Sequence, residues 1–99
     1  MREKTVESKF TSAVKAKGGL AVKFTSPGFN GMPDRLVMFP GGRIGFVEVK
    51  APGETPRPLQ RSRLKLLRRL GFKAFVLDNT SDIPKIIEEV MQNESHYDM

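Results

Sequence analysis

Asp34, Glu48 and Lys50 are the residues of this sequence whose types and spacing suit chemistry. They punctuate the stretch GMPDRLVMFPGGRIGFVEVKAPG, Gly31 to Gly53, in which two strand-forming runs, RLVMF and RIGFVEVK, flank a PGG turn in the manner of a hairpin. Side chains alternate across a strand. Ile44, Phe46, Glu48 and Lys50 therefore share one face of the second run, Val47 and Val49 the other, and Glu48 lies about 7 Å along the strand from Lys50. Chain reversal at Pro40 to Gly42 sets the start of the first run beside the end of the second, so Asp34 comes close to Glu48. Two carboxylates so placed repel each other. A divalent cation such as Mg²⁺, which takes a few carboxylate oxygens and keeps several waters, would relieve that repulsion. Lys50 beside them would hold or deprotonate an attacking water, or offset charge on a phosphate. The same three residues also fit a plain acid–lysine salt bridge at the sheet rim, which contributes little to stability.

The elements that must position these residues follow from periodicity and breakers. Val6, Phe10, Ala13 and Val14 recur at helical spacing over Glu3 to Lys17, and Gly18-Gly19 stop that helix. LAVKF reads as a short strand that ends in TSPGFNG, a loop dense in turn formers. Strands over Arg35 to Phe39 and Arg43 to Lys50 form the hairpin, and APGETPRP is an exposed connector. Pro58 to Leu70 is helical, with Leu59, Leu66, Leu67 and Leu70 expected on its buried side. FKAFVLD, apolar at nearly every position, reads as a strand covered on both faces. The last helix lies in NTSDIPKIIEEVMQN, capped by Ser81 or Asp82, with Pro84 in its first turn and Ile83, Ile86, Ile87, Val90 and Met91 as its buried stripe. The helix between the third and fourth strands makes a crossover, so those strands should be parallel neighbours with a right-handed connection. The expected fold is α/β: a mixed sheet with helices on its faces in the order αβββαβα. It forms a single domain over residues 1–92, followed by a flexible tail at 93–99.

Charge narrows the partner. The chain of 99 residues carries a formal net charge of +6, and no acidic residue occurs from Pro56 to Leu77, where Arg57, Arg61, Arg63, Lys65, Arg68, Arg69 and Lys73 are gathered. A one-signed block of this kind is the electrostatic footprint of a polyanion, because each neutralised phosphate releases condensed counterions. A solvated helix face is the plainer reading of a basic helix taken alone, and the adjoining acidic strand ends favour nucleic acid. There is no cysteine, which excludes a disulfide framework and thiolate chemistry and accords with a cytoplasmic location. No apolar run reaches the length of a membrane span. The lone histidine, His96, falls in the tail and is discounted. Phe29 and Met32, in the loop before Asp34, are candidates for contact with DNA or a partner subunit, or else for simple packing of the loop.

Pro33-Asp34, a hairpin and then Glu48-Val49-Lys50 together resemble the PD-(D/E)XK nuclease motif. In fuller context GMPDRLVMF, GFVEVKAPG and the later PLQ ending at Gln60 are similar to the virus-type replication-repair nuclease (VRR-NUC) domain, in its minimal stand-alone phage and bacterial form. The likeness runs from the first helix to about Leu77. It implies a restriction-endonuclease-like core in which Asp34, Glu48 and the Val49 backbone carbonyl bind Mg²⁺ or Mn²⁺, with Glu7 joining them from the first helix ahead of Glu3. It also implies that Lys50 orients the nucleophilic water and that Gln60 supports the site. Arg35, Arg57, Arg61, Arg63, Lys65, Arg68 and Arg69 would contact DNA phosphates. The resemblance further implies a homodimer that resolves four-way (Holliday) DNA junctions. Flap or duplex cleavage, and a non-catalytic nucleic-acid-binding module on the same fold, are the alternatives.

Overall fold

The computed structural model describes residues 1–92. The elements are α1 (Glu3–Ala16), β1 (Leu20–Lys23), β2 (Arg35–Phe39), β3 (Arg43–Val49), α2 (Pro58–Arg69), β4 (Lys73–Leu77) and α3 (Ile83–Met91), with a 3₁₀ turn at Thr80–Asp82 before the last helix. The strands form one sheet in the order β1-β2-β3-β4, in which β1, β2 and β3 are antiparallel and β3 and β4 are parallel. The crossover through α2 thus joins parallel neighbours, as the element order requires. The tail, with His96, lies outside the described residues.

Alternation along the strands distributes the core over both faces of the sheet. Val37, Val47, Val49 and Leu77 turn toward α1 and α3, where they meet Val6, Phe10, Val14, Ile83, Ile86, Ile87 and Val90 in the larger cluster. Phe46 and Ala74 turn the other way and meet Leu64 and Leu67 of α2. Phe46 is held there edge-to-face between Phe24 and Phe72, at centroid distances of 5.6 and 5.8 Å. The result is a three-layer arrangement of helices, sheet and helix. Gly45, buried in β3, lets α3 approach closely, since a Cβ there would stand 2.8 Å from Val90 Cγ2.

Three local expectations change. Leu59 of α2 and Leu70 just after it are exposed and Leu66 is half-buried, whereas Leu64, Leu67 and the polar Gln60 are buried. Positions 60, 64 and 67 share the sheet-facing stripe by helical spacing, so a polar residue sits where the leucine pattern suggested an apolar one. β4 is covered from both sides, but as an edge strand, with only Ala74 and Leu77 fully buried. The last helix is preceded by a turn capped from Asn79, whose Oδ1 accepts from the N–H of Ser81 at 2.9 Å and also from its hydroxyl. Neither Ser81 nor Asp82 supplies that cap.

Candidate active site

The hairpin register decides the site. Arg35 pairs with Val47, so the next step of the antiparallel ladder sets Asp34 opposite Glu48, where β2 begins and β3 ends. Two hydrogen bonds fix Asp34 there: its carbonyl accepts from the Phe24 N–H at 2.9 Å, and its Oδ1 accepts from the Val49 N–H at 3.1 Å. A strand residue turns its N–H and C=O toward the same neighbour. The Val49 carbonyl therefore points to the β2 side of the strand, away from β4, which receives the Lys50 N–H.

Glu48 is only 3% exposed. It lies on the α2 face of the sheet, as alternation from Phe46 requires, and Lys50 follows on that face with Nζ 3.3 Å from Glu48 Oε2. The same oxygen accepts from Gln60 Nε2 at 2.9 Å. Gln60 uses the other end of its amide to begin α2, since its Oε1 accepts from the Arg57 N–H at 2.9 Å. One side chain thus satisfies an orphan donor at the helix start and holds the buried carboxylate. Both side-chain contacts on Glu48 fall on Oε2.

Electrostatics marks the pair as strained when charged. Desolvation, and then the Glu48 charge, push the Asp34 carboxyl up to about 6 from an ordinary 3.8, against the opposing hydrogen bond from Val49. Burial also raises Glu48, with Lys50 working in the opposite direction. Burial is the larger cause for both carboxyls, and the repulsion between them adds to it at Asp34.

The first helix meets the sheet through an ion pair. Arg35 alternates to the opposite face from Asp34, toward α1, and its Nη2 and Nε stand 3.0 and 3.2 Å from Glu7 Oε2. Its Nη1 donates to the Ala21 carbonyl at 3.1 Å. Arg35 thus ties α1 to β1 through the Glu7 carboxylate and the Ala21 carbonyl. The Glu7 charge still reaches Asp34, whereas the exposed Glu3 acts on both Asp34 and Glu48. Among the described residues, no group of three or more His, Cys, Asp and Glu side chains forms a ready metal cluster. Asp34 and Glu48 face each other across the hairpin closely enough for their charges to interact, and the Val49 N–H binds Asp34. Of the basic block, Arg61 donates to the Pro56 carbonyl, Arg63 to that of Asn30 and Arg68 to that of Ala74. Arg57, Lys65 and Arg69 are exposed on α2 or at its start.

What a sequence reading missed is the division of labour. The double use of Gln60 was detectable, because a glutamine three residues after a helix start is a capping signal. The Arg35–Glu7 tie follows from alternation, which sends Arg35 away from Asp34.

Comparison with known proteins agrees with this geometry. No protein-family model matches the sequence. The chain is 47% identical over 90 residues to "Putative nuclease p44" of Acyrthosiphon pisum secondary endosymbiont phage 1, covering 91% of this chain and 96% of that protein. A solved structure described as a VRR_NUC domain superposes with a TM-score of 0.80 at 34% identity, over 87% of this chain and 94% of that one. With nearly the full length of both relatives matched and the aspartate, glutamate and lysine brought together at one sheet end, the chain belongs to the VRR-NUC family of nucleases.

Proposed function

We propose that this protein is a divalent-metal-dependent endonuclease that cuts branched DNA, four-way junctions foremost, as a homodimer. The observation that carries the reading is the convergence of Asp34, Glu48 and Lys50 at the end of the hairpin, with Glu48 held from α2 by Gln60. The donor set suits a hard cation: two carboxylates and a main-chain carbonyl are all oxygen, and burial first, then the neighbouring Glu48 charge, disfavour the ionised Asp34 that a bound cation would stabilise. Mg²⁺ or Mn²⁺ held by Asp34, Glu48 and the Val49 carbonyl would supply the Lewis acidity that polarises the phosphodiester and activates water.

The chain's own residues do the rest. Lys50, anchored on Glu48 Oε2, directs its ammonium toward the phosphate, where it orients the attacking water and offsets charge as the phosphorus becomes five-coordinate. Gln60 holds one oxygen of Glu48 from α2 and so fixes the orientation of the carboxylate. Arg57, Lys65 and Arg69 position the backbone of the substrate without reading sequence.

The dimer follows from the substrate's symmetry. A four-way junction needs two paired cuts, and one chain of this size offers one site. Cleavage of labelled junction, flap and linear duplex in Mg²⁺, Mn²⁺ or EDTA, with Asp34→Ala and Lys50→Ala beside the native protein, tests the proposal. Metal-dependent, junction-preferring cleavage that both variants abolish is expected. Binding without cutting would make the protein a non-catalytic binding module, and cutting that survives Asp34→Ala would place the site elsewhere.

A further inference from the structure

The loop between β1 and β2 is fastened to α2 in an unusual way. Arg63 donates from Nε to the Asn30 carbonyl at 2.8 Å, and its guanidinium carbon lies 3.8 Å from the centroid of the Phe29 ring. Gly31, at φ +89°, packs under Leu59 so tightly that a Cβ would stand 2.7 Å from Leu59 Cγ. A turn within the loop, from the Phe29 N–H to the Ser26 carbonyl at 3.0 Å, fixes the backbone as well. Phe29 is therefore held in place, yet it remains 42% exposed. Arg63 covers one part of the ring and the remainder faces solvent.

The position of the ring gives it meaning. The loop runs straight into Pro33-Asp34, and Leu59 and Arg63 flank Gln60 along α2 about 6 Å of helix rise apart. The exposed phenyl thus sits on a loop that leads into Asp34 and is pinned to the helix that carries Gln60 and the one-signed basic block. A protein partner with an apolar surface would meet this charge unfavourably. A nucleobase carries both features the surface answers: a flat π-face for the ring and a phosphate on either side for the cations.

We propose that Phe29, backed by Arg63, is a stacking platform for an unpaired nucleobase next to the scissile phosphate. The proposal rests on the nuclease reading and deepens it, because it names what the site selects: a strand opening whose base is free to leave its own stack. Arg63 acts from behind the ring, and its positive charge over the phenyl face keeps the platform fixed before the base arrives. A fully paired duplex has no free base to offer and gains nothing from the ring.

The test uses the full chain and a short single-stranded DNA carrying one 2-aminopurine, whose fluorescence falls on stacking, together with its fully paired duplex, both in EDTA. The variants are Phe29→Leu, which keeps apolar bulk over Arg63 but lacks a π-face, and Phe29→Tyr, which restores one. Quenching by the native protein and by Phe29→Tyr is expected. Phe29→Leu should lose the quenching and about ten-fold in affinity for the single strand, with duplex affinity almost unchanged. Unchanged quenching in Phe29→Leu, equal losses on single strand and duplex, or a change in oligomeric state on sedimentation would overturn the proposal. Because these readouts need no cleavage, a failure to cut in Mg²⁺ would sink the nuclease reading separately.

Discussion

Asp34→Asn should make the metal-free protein more stable while abolishing cleavage. Asparagine keeps the oxygen that accepts from the Val49 N–H at 3.1 Å, so the backbone tie survives and only the charge is lost. In the native protein a carboxyl with a pKa of about 6 in place of 3.8 must be ionised at neutral pH. At about 1.36 kcal/mol per pH unit the ceiling on that cost is roughly 3 kcal/mol. The group is partly exposed and screened by solvent ions, which reduces the figure to about 1 kcal/mol. For a domain of this size that corresponds to a rise in Tm of about 4–8 °C. The pH dependence has a definite sign. The folded-state pKa lies above the unfolded one, so the penalty is fully present above about 6, relaxes as pH falls toward 3.8 and is absent below it. Thermal unfolding in EDTA at neutral and mildly acidic pH, for both proteins, is the assay. The gap in Tm should narrow in acid, and added Mg²⁺ should raise the native Tm while leaving that of the variant unmoved. A variant that melts below the native protein at neutral pH would show that the retained hydrogen bond, and not desolvation and repulsion, governs this carboxylate.

Three further outcomes are expected. Gln60→Leu removes the donor to Glu48 and the acceptor for the Arg57 N–H; it should cost about 1–3 kcal/mol in chemical denaturation and lower cleavage about 10–100-fold. Arg35→Met leaves the Glu7 carboxylate without its partner and uncovers the Ala21 carbonyl; a loss of about 1–3 kcal/mol should be partly recovered in the double variant with Glu7→Gln. Gly45→Ala drives a methyl against Val90 Cγ2, 2.8 Å from the new atom, and should cost about 1–3 kcal/mol by denaturant titration with no direct effect on the site.

Much of this was legible because the informative signals are local. Alternation in RIGFVEVK placed Glu48 and Lys50 on one face, and the PGG turn brought Asp34 to them, with no information beyond the strand period. The parallel pairing of β3 with β4 followed from the helix between them. Less legible was α2, where four leucines outnumber the stripe that is buried. Which side of an arginine-rich helix faces the sheet depends on Gln60 finding Glu48, a partner twelve residues away that helical periodicity does not register. The structural use of the arginines was not legible either. Composition counts their charge, but only the folded backbone reveals that Arg35, Arg61, Arg63 and Arg68 each donate to a main-chain carbonyl.

The PGG turn, with Gly41 and Gly42 at φ +89° and +74°, lies roughly 20 Å of strand from Asp34. It is nonetheless the ruler that measures the site out. Adding or deleting one residue there would slide the two arms of the hairpin past each other and send one acid to the wrong side of the sheet, whatever the health of the fold. The connector at residues 51–56 carries no such duty before Pro56 and should absorb changes of length. Insertions would therefore be most damaging to the chemistry at the end of the hairpin farthest from it.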